Sequence, residues 1–284
     1  MLKIGFIGAG TVGTALAILL SRKGYPVVAV SSRSYSSAEN LAKQFKGCAV
    51  SNSSQEIADT AELVFITTPD DVISTVVSEI KWHPGQRIVH CSGAASTDIL
   101  APARQAGAHV GSIHPLQTFA GVEQAIANIP GSTFAIEAEE PFLSMLKNIA
   151  VSMDGEYIEL KGSDKVLYHA AAVIACNYLV TLVKLATDLW QTFSIPPEQA
   201  TKALLPLIQG TLNNINTIGI PQCLTGPIAR GDTGTIKKHL DALEKFTPAV
   251  LPTYKELGRQ TIPVGLAKGK IDKQQAQELE AILK

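Results

Sequence analysis

The chain has 284 residues, 46% of them hydrophobic and 17% charged, with a net charge of -1. That length suffices for two compact domains with substantial cores. The balanced charge excludes a general electrostatic attraction to nucleic acid or to an anionic membrane surface.

Cys48, Cys91, Cys176 and Cys223 lie far apart and form no C-x-x-C pair, which argues against a zinc site or a disulfide framework and for four reduced thiols. The opening MLKIGFIGAG places glycines where a signal peptide needs a long apolar core, so the cytoplasm is the expected compartment.

In chain order, β-rich runs alternate with amphipathic segments: LKIGFI then 12–23, VVAVS then 37–45, LVFITT then 71–80, RIVHCS then 97–106, and HVGSI. FAIEA (134–138) and EYIEL (156–160) read as further strands around a helix over 139–150. This rhythm predicts an α/β, Rossmann-like domain: βαβ units building a mostly parallel, doubly wound sheet with helices on both faces. After Gly162 the β-rich runs stop, and helices are expected over 164–193, 197–216, 233–258 and 271–283. The expected domains are therefore 1–162, dinucleotide-binding, and 163–284, all-α, with a cleft between them as the natural place for a ligand. The most apolar stretch, AAAVIACNYLVTLV at 170–183, is shorter than a membrane span and reads as a buried core helix.

The first strand runs into Gly8-x-Gly10-x-x-Gly13 and a helix. Gly8 permits the tight turn, Gly10 lets backbone approach a pyrophosphate, and Gly13 lets the helix pack on the strand. Gly8, Ala9, Gly10, Thr11, Val12 and Gly13 are the expected cradle. An acidic residue at the end of the second strand would hydrogen-bond the ribose hydroxyls of NAD; here Ser31, Ser32 and Arg33 stand there instead, with a guanidinium able to pair a 2′-phosphate. NADP is thus favoured over NAD. Thr67, Thr68 and Pro69 end the LVFITTP strand and are placed beside the nicotinamide.

HCSGA (90–94) and SIHPL (112–116) bring Ser92 and His114 to the same carboxyl edge. A histidine titrating near neutrality suits proton transfer. His90 and Cys91 point to opposite faces of a strand and cannot act together. In KVLYHAAAVIACNY, Lys165, His169, Cys176 and Asn177 fall on roughly one helical face, a polar stripe that is costly unless it finds partners. In LTGPIARGD, Arg230 either binds a carboxylate or pairs with Asp232. None of the six histidines shows metal-ligand spacing, so no metal is expected.

IGFIGAGTVGTALA, VSSRS, FITTPDD, HCSGA, SIHPLQTFAG, YHAAAVIACNYLVTL and LTGPIARGD together resemble the NADP oxidoreductases that join a Rossmann-like domain to a helical C-terminal domain of unknown function. The resemblance implies a fold related to the 6-phosphogluconate dehydrogenase and pyrroline-5-carboxylate reductase superfamily, with an all-α C-terminal domain that dimerises. It is similar to prephenate dehydrogenases at the His-Pro of SIHPL, which implies contact between His114 and the reacting group. It departs from β-hydroxyacid dehydrogenases, whose helix Lys is followed four residues later by Asn; here His169 follows Lys165.

The expected function is an NADPH-dependent reductase of a small carbonyl or imine substrate that carries a carboxylate. His114 or His169 supplies the proton, Ser92 and Asn177 orient the reacting group, and Lys165 or Arg230 holds the acid. A homodimer through the helical domain is expected. A non-catalytic NADP(H) sensor is the other class that the same glycine turn allows.

Overall fold

A computed structural model describes residues 2–284. The chain divides into two compact units, one ending at Cys176 and one beginning at Asn177. Composition changes at Gly162, but the helical turns that follow it pack with the first unit.

The first unit contains an eight-stranded sheet: β1 (Ile4–Ile7), β2 (Val27–Ser31), β3 (Ala49–Ser51), β4 (Leu63–Ile66), β5 (Arg87–His90), β6 (His109–Pro115), β7 (Thr133–Ala138) and β8 (Glu156–Glu159). Their spatial order is β3-β2-β1-β4-β5-β6-β7-β8. All adjacent pairs are parallel except β6 and β7. The strand order reverses between β1 and β4, and the carboxyl ends of those strands form the crevice where open α/β sheets take ligands.

Helices α1 (Thr11–Arg22), α2 (Tyr35–Ala42), α3 (Ser54–Thr60), α4 (Asp70–Glu79), α5 (Ala101–Gln105), α6 (Val122–Asn128) and α7 (Phe142–Ser152) cover both faces. On one face Leu16, Leu20, Ile129 and Leu146 pack against Phe6, Phe65, Val89 and Ile113. On the other, Ile57, Ile73, Val77 and Leu100 pack against Ile7, Val64, Ile66 and Ile88. Alternation along each strand feeds both cores. Phe6 and Phe65 are partners in the β1–β4 register and stack at 5.0 Å. Burying each such side chain contributes about 1.5–3 kcal/mol. The short β3, α3 and α6 were not expected, because three to seven residues carry too little periodicity to read.

A helix expected over 164–193 is instead α8 (Lys165–Ala172), a π-helical turn at Val173–Asn177, and α9 (Tyr178–Gln191). The π turn changes the angular step, so counting at 3.6 residues per turn does not carry Cys176 and Asn177 onto the face of Lys165 and His169. Nor is 170–183 a buried core helix. Ile174, Tyr178 and Val180 are exposed, Val180 by 70%.

The second unit continues with α10 (Pro197–Ile218), α11 (Thr233–Phe246), α12 (Leu251–Lys268) and α13 (Lys273–Leu283). The helix expected over 233–258 is broken because Pro248 excludes α geometry at Thr247, which adopts φ -147°. Ile236, Ile262, Leu279 and Leu283 form its core, and Asp272 with Gln275 closes a capping box on α13.

Candidate active site

The glycine turn is held by β4. The Thr67 hydroxyl donates to the Gly8 carbonyl at 2.7 Å, spending on backbone a group that had been assigned to ligand. Gly8 has φ +114°, and a Cβ there would come within 2.6 Å of the Thr67 carbonyl. A Cβ on Gly13 would collide with the Gly8 carbonyl oxygen and Thr67 Oγ1. Gly10 differs: a Cβ there meets nothing within 4 Å. Its lack of a side chain serves no contact inside the chain and leaves a cradle above the turn. Gly10 N-caps α1 without any side-chain cap, and no acidic residue occupies the first turn, so backbone N–H groups face the cradle. Ala9, Thr11 and Val12 border it, half-buried.

Two buried hydroxyls near this edge, Ser31 Oγ and Thr68 Oγ1, have no partner among the described residues. Ser32 is half-buried, while Arg33 is exposed and makes no ion pair among the described residues. Pro69 N-caps α4. Orphan hydroxyls, an open glycine cradle and a free guanidinium fit a phosphorylated dinucleotide.

The second half of the site lies along β5 and β6. His90, Ser112 and Glu137 stand in register on adjacent strands and present their side chains to one face of the sheet. Lys165, at the start of α8, is 1% exposed; its Nζ donates to Ser112 Oγ and lies 3.9 Å from Glu137 Oε2. Glu137 also accepts from Thr97 N at 3.1 Å and Thr97 Oγ1 at 2.9 Å. Burial pulls Lys165 down to about 8, although the Glu137 carboxylate opposes this. The structure therefore places Lys165 within the unit, as a positive charge beneath the sheet edge.

Helical spacing from Lys165 brings Tyr168 and His169 to the same edge. Nδ1 of His114 is 2.8 Å from the Tyr168 hydroxyl, and the His114 and His169 rings lie 6.2 Å apart, edge to face. Both imidazoles close on Gly93: a Cβ there would lie 2.7 Å from His169 Cδ2 and 2.9 Å from His114 Nε2. His114 Nε2 has no protein partner among the described residues and is not sealed from solvent.

The expected titration of His114 near neutrality does not hold. Burial, then the charges of Lys165 and His169, push it down to about 4 against the opposing pull of Asp70. The ring is neutral at pH 7. Burial also raises Tyr168 to about 12 and Cys91 to about 12, leaving an intact phenol and an unreactive thiol.

Ser92 is buried and fully used. Its hydroxyl donates to Asp70 Oδ2 at 2.5 Å and accepts from Ala94 N at 3.3 Å and Ala95 N at 3.0 Å. It holds the loop that carries Gly93. Asn177 is exposed in the second unit, and Arg230, in the same unit, lies 3.9 Å from Asp232. Among the described residues no group of His, Cys, Asp and Glu could hold a metal.

A Rossmann-like family profile matches residues 1–115, and the profile for a domain of unknown function, DUF2520, matches residues 132–261. The chain joins a Rossmann-like domain to a DUF2520 domain. The "putative NADP oxidoreductase BF3122 from Bacteroides fragilis" is 26% identical, with a TM-score of 0.74 over 92% of this chain and 98% of that one. Protein TM1727 from Thermotoga maritima is 29% identical, with a TM-score of 0.75 over 93% of this chain and 99% of that one. The 1-pyrroline-5-carboxylate reductase of Streptococcus pyogenes, 18% identical, shares the fold with a TM-score of 0.61 over 99% of this chain and 98% of that one. No curated protein matches the chain.

In this Rossmann–DUF2520 chain the stretch between the two profile matches, 116–131, falls immediately after the histidine-bearing strand. Sequence reasoning missed Tyr168, Gly93 and Asp70. Tyr168 could have been found from its i+3 spacing to Lys165, and Gly93 from its place between Ser92 and the next turn.

Proposed function

We propose that the chain is an NADP(H)-dependent oxidoreductase that transfers hydride to a small carbonyl or imine substrate carrying a carboxylate. The observation that carries this reading is the open cradle over Gly10, lying on the same carboxyl edge as the reachable Nε2 of His114. Gly8, Gly10, Gly13 and the free first turn of α1 would hold the pyrophosphate, Ser31 and Arg33 the 2′-phosphate side, and Thr68 and Pro69 the nicotinamide side. When bound, the cofactor supplies a hydride. The chain's own residues then orient the acceptor and complete its protonation from His114, with His169 forming the opposite wall. The Lys165 ammonium supplies positive potential that favours an anionic substrate.

The proposed compartment is the cytoplasm, in keeping with four free thiols. The proposed assembly is a homodimer. Exposed apolar side chains on α9 and α10, among them Val180, Leu205 and Leu207, call for a cover, and a second copy of the same face supplies one. The helical run Gly162–Gln191 is long and apolar enough to cross a membrane by length and composition. However, it begins at Lys165 and His169 of the site and carries a Lys184–Asp188 ion pair at 2.6 Å, which favours the protein cover. Light scattering of the purified chain distinguishes dimer from monomer. Fluorescence titration with NADPH and NADH tests the cofactor: NADPH should bind more tightly, and absence of NADPH binding would remove the proposal.

A further inference from the structure

Resting on the reductase reading, we infer that Tyr168 fixes His114 as a neutral Nε2–H donor, so that the site takes a carbonyl oxygen and not a protonated imine. Tyr168 is a positioning residue.

The Tyr168 hydroxyl has one partner among the described residues, Nδ1 of His114 at 2.8 Å. A phenol at this distance with no other protein acceptor donates its O–H to the imidazole lone pair, because a phenol is a better donor than acceptor and neutral imidazole has one nitrogen able to accept. Nδ1 is thereby the acceptor, and the ring proton stays on Nε2. That nitrogen is the one left without a protein partner among the described residues, and it is not sealed from solvent.

The groups facing the ring pull its charge in opposite directions. From α8 come Tyr168, His169 and the buried Lys165; from α4 comes Asp70, which is exposed and already accepts the Ser92 hydroxyl. Burial and Lys165 outweigh Asp70, so the imidazole is uncharged at neutral pH.

A neutral N–H donor above a buried ammonium discriminates between acceptors. A carbonyl oxygen gains negative charge as hydride arrives, and both groups stabilise it. An iminium is already a cation with no lone pair on nitrogen; it offers nothing to Nε2–H and is repelled by Lys165. Hydride forms the new C–H bond and the carbonyl π pair moves onto oxygen. The Nε2 proton passes to that oxygen as the Tyr168 proton moves to Nδ1; the Nδ1 proton then returns to the phenolate and water reprotonates Nε2, which restores the starting tautomer. A nicotinamide hydride donor is the reductant.

Long-range 1H–15N NMR of the full-length protein at neutral pH reads the tautomer without any turnover, with the His114 signals identified by their loss in His114→Gln. The expected result is a neutral ring protonated on Nε2, which becomes a mixture of tautomers in Tyr168→Phe. A proton on Nδ1, or an imidazolium, would overturn the proposal. A 2-keto acid and a cyclic imine of matched size supply the second readout. Carbonyl reduction should dominate, and Tyr168→Phe should lower kcat about tenfold or more with little change in KM. Preferential imine reduction would overturn the substrate assignment. No NADPH oxidation with either compound would overturn it too, by removing the reductase reading; an intact Nε2–H tautomer would show which of the two had failed.

Discussion

Gly93 lies under both imidazoles of the site: a side chain on it would stand 2.7 Å from His169 and 2.9 Å from His114. Gly93→Ala should therefore push both rings apart while leaving the sheet untouched. The expected outcome is a fall in turnover of about 100-fold, the cost of displacing reacting groups by about 1 Å, with NADPH affinity and thermal unfolding close to wild type. Steady-state kinetics beside a melting curve checks it. Unaltered turnover would mean that the two histidines do not act where they meet.

Two glycines of one motif should respond oppositely. Gly13→Ala drives a methyl into Gly8 and Thr67 and should destabilise the fold by about 1–3 kcal/mol, as overpacking does. Gly10→Ala meets open space, so its stability should hold while cofactor affinity falls. Urea denaturation and NADPH titration separate the two effects.

Arg33 is exposed and unpaired among the described residues. Arg33→Ala should weaken NADPH binding far more than NADH binding. Equal losses for the two cofactors would exclude contact with the 2′-phosphate.

Acid should unfold the chain through its buried histidines. Burial, then the charge of Lys165, pushes His90 down to about 3, while His114 lies at about 4. Both are depressed below the unfolded value near 6.5, so between about pH 6.5 and 3 the unfolded chain binds more protons and stability falls as pH falls. His90 is wholly buried, and its contribution to the slope approaches about 1.4 kcal/mol per pH unit. Denaturation at pH 7, 5 and 4 should give a shallower pH dependence for His90→Gln than for wild type.

Lys165 is the first charge that holds His114 down. In Lys165→Met the midpoint of His114 should rise from about 4 toward the ordinary histidine range, as read by NMR titration. An unmoved midpoint would leave burial and the His169 charge as the causes.

The parts of this structure that depend on short-range spacing could be read in the sequence. Gly8, Gly10 and Gly13 between a strand and a helix gave the cradle, and strand ends gave His114. The i+4 step from Lys165 correctly carried His169 to the same edge. What depends on distant pairing could not be read. Glu137 meets Ser112 only because β7 runs antiparallel to β6, and that pairing turns Lys165 from a candidate holder of the substrate's acid group into a buried cation bonded within the unit. The titration of His114 follows from that burial, so its shift was equally hidden. Tyr168 carries no signal of its own in a largely apolar helix, because its partner His114 lies 54 residues away in the chain. The exposure of 170–183 was misread because apolar composition shows that a surface needs cover, not whether the same chain supplies it.

The central claim is hydride transfer from NADPH at His114. Its most direct test follows NADPH oxidation by the purified protein against small 2-keto acids and cyclic imines, with His114→Ala in parallel. The account predicts turnover with a carboxylate-bearing acceptor and its loss in the variant, with NADPH affinity retained. Tight NADPH binding with no oxidation of any acceptor, or equal turnover by wild type and His114→Ala, would contradict it.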